Sequence, residues 1–538
     1  MAELEKPAVK PSTAEDPSRK DQASPPPESP AATWTRRCII IAFWSVVICL
    51  GLPHWIWTTS IHRSDLPLET MNSWADGKAH RFQYPLSIRI DTTEKDHESR
   101  AALVADLTKK FQQSSDLPLY DINISPGHYS EGFLPEQEKD ADLVVYVDNE
   151  SKSPQQASLR PWAPVLDVQP GHAGPSAASE FIFHEIVRAY ADEQRSLSHL
   201  MSDSPFVSDK GIALTADQKT KLDARTTRAF KYASMYHLTF SLFSASATPS
   251  AWDIDVAMQQ YLSPLLRQLS NVSRFTVDTQ VQLHAAFSPS IAGPQFDQAS
   301  GKWHLQKTDL SGFVNAAEWP LNPSIGAGPT INFVLYVPTK DQSPLEIAET
   351  GGTSWLIPQW GGVQIYNPSN KQDSALSADD LEAVMLTFAD QLTALVGLPP
   401  SPPSLTLRLA SMTRERTTSL ILSASSTLGA LSRLTLKLTS IAIPNSVAKS
   451  VDETIARLEQ ACLDLREGRY NNALANARIA NDEAEKAFFE PSMVGQVYFP
   501  DEHKVAVYVP LLGPVAVPLV MAAVKELLSL RRRKVKST

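Results

Sequence analysis

From Cys38 to Ile61 the chain has no Asp, Glu, Lys or Arg over about 24 residues, and a hydrocarbon core needs only ~20 helical residues to cross. The stretch CIIIAFWSVVICLGLPHWIWTTSI therefore reads as a transmembrane helix at 38–61. Arg36 and Arg37 precede it, while His62, Arg63 and Asp65 follow, so the local Lys/Arg bias favours a cytosolic N-terminus. A cleaved signal peptide is disfavoured by the long polar leader, and a buried core helix by the length. Near the other end, Val505–Val524 is a second uncharged run of about 20 residues, read as a span at 505–524. Arg531, Arg532, Arg533, Lys534 and Lys536 follow it and put the 525–538 tail in the cytosol as well. Two spans with both ends cytosolic require 62–504 to be luminal. The sequons at Asn123, Asn149 and Asn271 all fall in that interval. Asn271 and Asn149 are expected in exposed loops and rank above Asn123, which falls inside an alternating run.

Residues 1–35 are rich in Pro, Ser, Ala and charge, with Pro25, Pro26 and Pro27 in a row, and cannot bury enough surface to offset ordering. A disordered cytosolic tail is expected there. The other residues have ample material for a core: 43% of the chain is hydrophobic, and 538 residues suggest three to four domains at ~150 residues each. The formal net charge of −10 disfavours nucleic acid as a partner, because phosphate binding needs a basic face. Of three cysteines, Cys38 and Cys49 lie in the first span. Cys462 is thus the sole thiol of the luminal region, which can form no internal disulfide.

Leu86–Ile90 alternates like a strand, Ala101–Phe111 looks helical and Leu117–Ile124 returns to strand, a βαβ rhythm. Asp142–Val147 is a short apolar run suited to a parallel strand buried on both faces. Gln155–Pro175 reads as loop. Ala178–His199, Thr215–Phe243 and Ile254–Leu269 read as helices, and Arg274–Phe287 as alternation. Ile331–Val337 and Val363–Tyr366 are further strands, followed by an amphipathic helix through Leu381, Val384, Met385, Phe388, Leu392 and Leu395. From about 411 to 488 the pattern is helical, with a hairpin joined at Gly468. The fold expected is an α/β luminal domain with a helical C-terminal portion, flanked by two transmembrane helices. Pro510, Pro514 and Pro518 in the second span remove backbone donors, which fits either a kinked helix in a multi-helix bundle or the ordinary tolerance of such helices for proline.

Catalytic signals fail on inspection. Gln460-Ala461-Cys462 opens like the caspase-type nucleophile signature, but Leu463 and Asp464 follow, and Cys462 sits on an apolar helical stripe where a thiol behaves as a small hydrophobe. His184-Glu185 begins an HExxH zinc motif, yet Arg188 stands where the second histidine is required. There is no GxSxG elbow and no P-loop. No catalytic, cofactor-binding or metal residue is assigned.

The flanks of the spans carry more information. Gly51-Leu52-Pro53, Trp55, Thr58-Thr59, Arg63 and Leu66-Pro67-Leu68 form the first of four blocks; the others are Ile331–Pro338, Leu356–Gly362 and Tyr498–Asp501. Their content and order resemble the PIG-S family, subunits of the glycosylphosphatidylinositol (GPI) transamidase complex. The resemblance implies a non-catalytic membrane subunit of the endoplasmic reticulum machine that attaches GPI anchors to proteins. Its partners would be the other transamidase subunits, including a caspase-like catalytic one, with the GPI lipid or the proprotein as candidate ligands. Lys534 and Lys536, fifth and third from the end, resemble a dilysine retrieval signal. A luminal hydrolase would need a nucleophile and base that the sequence does not offer. A cell-surface receptor or adhesion protein would usually carry disulfides.

Overall fold

The computed structural model describes residues 29–59, 62–93, 97–127, 141–148, 154–171, 174–202, 204–205, 214–285, 292–309, 328–368, 374–438, 441–493 and 502–536. They fall into two units. One comprises Met1–His62, Ser440–Ala442 and Ser492–Thr538, the other Arg63–Thr439 and Ile443–Pro491.

The first unit is built from helices. Helix α1 (Pro30–Val46) passes through a π-helical turn, Val47–Gly51, into α2 (Leu52–Thr59). Proline explains the turn: Pro53 has no N–H to offer the preceding turn, and the Leu52 N–H reaches back to the Val47 carbonyl instead. The segment Pro30–His54 is long and apolar enough to cross a membrane, and none of its apolar window is buried. Its start corrects the expectation of a disordered 1–35, because the helix begins at Pro30. Ser29 caps it, its hydroxyl accepting the Ala32 N–H at 3.2 Å, and proline is well suited to the first helical position. At the far end of the chain lies one 35-residue helix, Glu502–Lys536, which contains Pro510, Pro514 and Pro518. Glu526 on this helix pairs with Arg36 at 3.3 Å and with Arg37.

The second unit contains two five-stranded sheets. The first uses β1 (Tyr84–Thr92), β2 (Tyr120–Pro126), β3 (Leu143–Val147), β4 (Gln156–Leu159) and β5 (Val165–Gln169), in the order β2-β1-β3-β5-β4. All neighbours are parallel except β4 against β5. The second sheet uses β6 (Met235–Ser244), β8 (Arg274–Leu283), β11 (Thr330–Val337), β13 (Ser354–Ile357) and β14 (Gly361–Ile365), in the order β13-β14-β11-β6-β8. Here too only the fourth strand, β13, runs antiparallel. Numbered within each sheet, both run second-first-third-fifth-fourth with the same directions. The unit therefore carries one βαβ-type design twice. Helix α3 (Leu68–Ala75) precedes the first sheet, in which α4 (His97–Gln113) joins first strand to second; in the other sheet the connection is α7 (Ile254–Ala257), a π turn and α8 (Ser263–Leu269). After the fifth strand come α5 (Pro175–Ser202) and α9 (Glu382–Leu395) respectively. The second copy is elaborated by the strand pair β7 (Ala251–Trp252) with β15 (Ala375–Leu376) and by a small sheet of β9 (Gln295–Asp297), β10 (Lys302–Leu305) and β12 (Leu345–Ile347).

Central strands β3, β6 and β11 are buried on nearly every residue, as parallel strands covered on both faces must be. One of them corrects an expectation. Thr215–Phe243 is not one helix: α6 (Ala216–Arg228) starts at a Thr215–Gln218 capping box, the chain turns extended at Ala229, and β6 follows. The strand is marked in the sequence, where Tyr236, Leu238, Phe240 and Leu242 alternate with His237, Thr239 and Ser241. Gln155–Pro175 is likewise not loop but the β4–β5 hairpin, whose strands of four and five residues are too short to announce themselves. On the second sheet, Phe388 of α9 packs its ring 5.1 Å from Phe333 and 5.9 Å from Phe240.

The helical portion begins six residues before 411, with α10 (Leu405–Lys437), and continues through α11 (Asn445–Arg466) and α12 (Tyr470–Phe488). The α11–α12 hairpin turns at Gly468, whose φ of 72° lies in the left-handed region that glycine adopts without strain. Buried Asp464 holds the turn, accepting from Arg469 Nε and Asn476 Nδ2 at 2.9 Å each.

Candidate functional site

The positions singled out from sequence do not converge. Cys462 is 2% exposed on α11, and burial pushes its thiol up to about 12, far from the thiolate a nucleophile requires. His184 is exposed on α5, with Nε2 3.0 Å from Glu180, and Arg188 pairs with Glu185. Among the described residues no three His, Cys, Asp or Glu side chains group as metal ligands. Asn271 is exposed in the turn before β8, and Asn123 is also exposed, on edge strand β2. Asn149, the Tyr498–Asp501 block and the side chains of Lys534 and Lys536 lie outside the described residues.

Three blocks that resemble a family fall at positions with plain structural jobs. Arg63 donates from Nη1 to the Leu438 carbonyl and from Nη2 to the Thr435 carbonyl, both at 2.9 Å. It thereby satisfies the orphan acceptors at the C-terminus of α10 and complements the negative end of that helix dipole. Ile331–Pro338 supplies the middle strand β11. Leu356–Gly362 forms the β13–β14 hairpin, where Gly361 lies so close to β11 that a Cβ there would come 1.8 Å from the Asn332 carbonyl oxygen. A side chain at Gly362 would collide in the same way with Gln391 of α9. Gln359, at the tip, donates its side-chain amide to the Thr227 carbonyl at 3.0 Å and so fastens the end of α6 to the hairpin.

Clusters of perturbed titratable groups are where chemistry is usually found, and the strongest one here was missed by the sequence reading. Arg414 of α10 and Glu193 of α5 are 1% and 5% exposed and make a two-pronged pair, Nε to Oε1 at 2.5 Å and Nη2 to Oε2 at 2.8 Å. Four tyrosines surround it. Tyr120 packs 5.7 Å from Tyr190 and 6.1 Å from Tyr84, and the Arg414 guanidinium lies 4.9 Å from the Tyr470 ring centre. The Tyr84 hydroxyl meets Thr418 Oγ1 at 2.6 Å, and Tyr470 donates to the Pro85 carbonyl. Burial raises the phenols of Tyr120 and Tyr190 well above their usual range. At the next residue of α10, Arg225 of α6 pairs with Glu415 at 2.7 Å and donates to Ser196 at 2.7 Å; burial raises the Glu415 carboxyl despite that arginine. The sequence signal was available: Arg414 and Glu415 interrupt a helical face that buries Met412, Thr417, Thr418 and Ile421.

This cluster is sealed, and a charge pair without access to solvent binds helices rather than substrates. An adjacent cleft of about 640 Å³ is lined by His199, Arg225, Tyr232, Gln359 and Arg416. His199 pairs there with Asp223 at 2.9 Å, whereas Ser196 faces Arg225, so serine, histidine and aspartate do not form a relay. Removing one partner of a buried pair strands the other charge, typically at ~3–5 kcal/mol, while replacing both with apolar residues is often neutral. Arg414→Ala should therefore lower the unfolding free energy of the full chain in detergent by about 4 kcal/mol. Arg414→Met with Glu193→Met should restore most of it. Equal losses in the single and double variants would show that the pair does not act as a unit.

Over residues 42–533 the sequence matches the family described as "Phosphatidylinositol-glycan biosynthesis class S protein". It is 29% identical over 531 residues to the Rattus norvegicus protein "GPI-anchor transamidase component PIGS", covering 90% of this chain and 93% of the rat protein. The Homo sapiens protein of the same name is 28% identical over 538 residues, 91% of this chain and 94% of its own length. The Saccharomyces cerevisiae "GPI transamidase component GPI17" is 26% identical over 515 residues, 89% of this chain and 90% of the yeast protein. The chain belongs to the PIG-S family.

Proposed function

We propose that this chain is a non-catalytic, membrane-anchored component of a GPI transamidase, acting in the endoplasmic reticulum membrane to support attachment of GPI anchors to proteins. The observation that carries the reading is the family match over 42–533, joined to relatives named as transamidase components and aligned over about nine-tenths of the chain. The non-catalytic part is supported by Cys462, the one thiol outside the first apolar helix, whose burial opposes ionisation. Its partners are the other transamidase subunits, including a caspase-like catalytic one.

Membrane topology is part of the proposal. The apolar segment Pro30–His54 would span once, and Val505–Val524, within a helix of 35 residues and about 52 Å, would span a second time. The reading with both termini cytosolic draws support from Arg36 and Arg37 reaching Glu526, since this joins the start of one helix to the last third of the other. Carbonyls freed by Pro510, Pro514 and Pro518 would be satisfied by neighbouring helices or water.

Two experiments test these points. Purification of the chain in mild detergent should recover a caspase-like protease, and Cys462→Ala should leave both that recovery and GPI attachment nearly intact. Recovery of the chain alone would sink the assignment; loss of attachment with assembly unchanged would overturn the non-catalytic role. In addition, glycosidase digestion should shift the mobility of the chain through sugar on Asn271 or Asn149, with Asn123 ranked below them. Absence of glycan in a cell that glycosylates other luminal proteins would argue against luminal placement.

A further inference from the structure

The second sheet ends on β8, a strand of ten residues, Arg-Phe-Thr-Val-Asp-Thr-Gln-Val-Gln-Leu, which is the longest edge among the described sheets. Proteins ordinarily blunt such an edge with shortness, proline, lysine or a bulge, because its free N–H and C=O groups template a further strand. The other edges of the two large sheets follow that practice. Strands β4 and β13 have four residues each, and β2 ends in Pro126. Strand β8 has neither proline nor lysine, and it pairs with β6 without interruption from Arg274 to Leu283.

The geometry tells which groups face outward. The Arg274 N–H donates inward to the Ser234 carbonyl at 2.9 Å, and along a strand the direction of successive N–H groups alternates. Phe275, Val277, Thr279, Val281 and Leu283 therefore turn their backbone groups outward, and no partner for them occurs among the described residues. Side chains agree with this parity. The even-numbered Thr276 and Gln280 bond across to His237 and Ser241 on one face. Odd-numbered Phe275 and Val277 pack against the core on the other. That second face is finished only halfway: Val281 and Leu283, farther along it, remain 41% and 38% exposed.

We propose that β8 is a docking edge that takes an extended strand from another component of the transamidase, by addition to the second sheet. The strand it accepts carries apolar residues on alternate positions, which cover Val281 and Leu283, and a Lys or Arg opposite Asp278. A second copy of this chain is the poorer occupant. The middle of β8 falls between Asp278 and Thr279, so a two-fold antiparallel pair centred there sets Asp278 directly or diagonally against its own copy, and like charges so placed repel. The proposal rests on the reading of the chain as a complex component.

The test uses the full chain co-expressed with the other transamidase components. Thr279 has an outward N–H, so Thr279→Pro deletes a docking donor without breaking a bond to β6, and proline is tolerated at such edge positions. Recovery of at least one component should fall about tenfold or more relative to wild type, while Thr279→Val, which keeps the N–H, assembles normally. Amide hydrogen exchange of the wild-type chain reads the same event without any variant: the amides of Val277, Thr279 and Val281 should exchange fast in the isolated chain and slowly in the complex. Undiminished assembly of a folded Thr279→Pro chain, equally fast exchange in both states, or cross-linking of position 279 to a second copy of the chain would each overturn the proposal. Wild-type assembly with β8 amides unprotected refutes strand docking alone, whereas a wild-type chain recovered with no transamidase component refutes the function on which it rests.

Discussion

The pair of Arg414 and Glu193 fixes how the α/β and helical parts of the second unit meet. Each charge is almost wholly buried, and each is compensated by the other. Because the bond is two-pronged, it sets the distance between α5 and α10 and also their rotation, since a guanidinium and a carboxylate meet in this way over a narrow range of angles. The tyrosine shell extends the constraint: Tyr84 and Tyr120 come from the first sheet, Tyr190 from α5 and Tyr470 from α12. Burial keeps the Arg414 charge costly and Glu193 more than offsets it, so the arginine stays protonated through the physiological range. Farther along, Arg416 and Arg478 flank the Tyr232 ring at 5.6 and 5.4 Å and donate to the Val396 and Val272 carbonyls, fastening α10 and α12 to the second sheet.

The duplicated strand order clarifies which parts are scaffold and which are free to vary. Both sheets repeat the same arrangement, yet the second alone carries the extra sheet of β9, β10 and β12 and the β7–β15 pair. It also carries two of the four blocks singled out in the sequence, Ile331–Pro338 and Leu356–Gly362. These include the tightest approach of a glycine to another backbone among the described residues, at Gly361, and the middle strand β11, buried after its first residue. Such positions keep a hairpin and a strand in register. The residues of these blocks are fixed by packing distance, as at Gly361, and Arg63 of the first block is fixed by an orphan helix terminus.

Much of this was legible in the sequence where one period dominated. The stripe Leu381 to Leu395 gave α9, the helical pattern with its turn at Gly468 gave the α11–α12 hairpin, and the apolar run at 142–147 gave a two-face-buried strand. What failed did so for identifiable reasons. In β6 the alternation of Tyr236, Leu238, Phe240 and Leu242 with His237, Thr239 and Ser241 follows only six residues after the helical pattern of α6 ends, so Thr215–Phe243 looked like one helix. The β4–β5 hairpin was too short to show a period, and proline at position 30 looked like part of a disordered tail although it starts a helix. The repeat of strand order was invisible because it resides in pairing, not in residue identity. Arg414 and Glu193 are 221 residues apart, and only the fold brings them together. Of the residues singled out for chemistry, Cys462 lies in the core of α11, as its place on the apolar stripe indicated.

The central claim is that this chain serves GPI attachment as a component and not as the enzyme's nucleophile-bearing subunit. The most direct measurement is depletion of the chain in the cell that makes it, followed by immunoblotting of a GPI-destined reporter for its C-terminal signal. The account predicts that uncleaved reporter accumulates in the endoplasmic reticulum and that re-expressed chain clears it, whether Cys462 is cysteine or alanine. Normal signal removal and normal surface display of the reporter after depletion would contradict it.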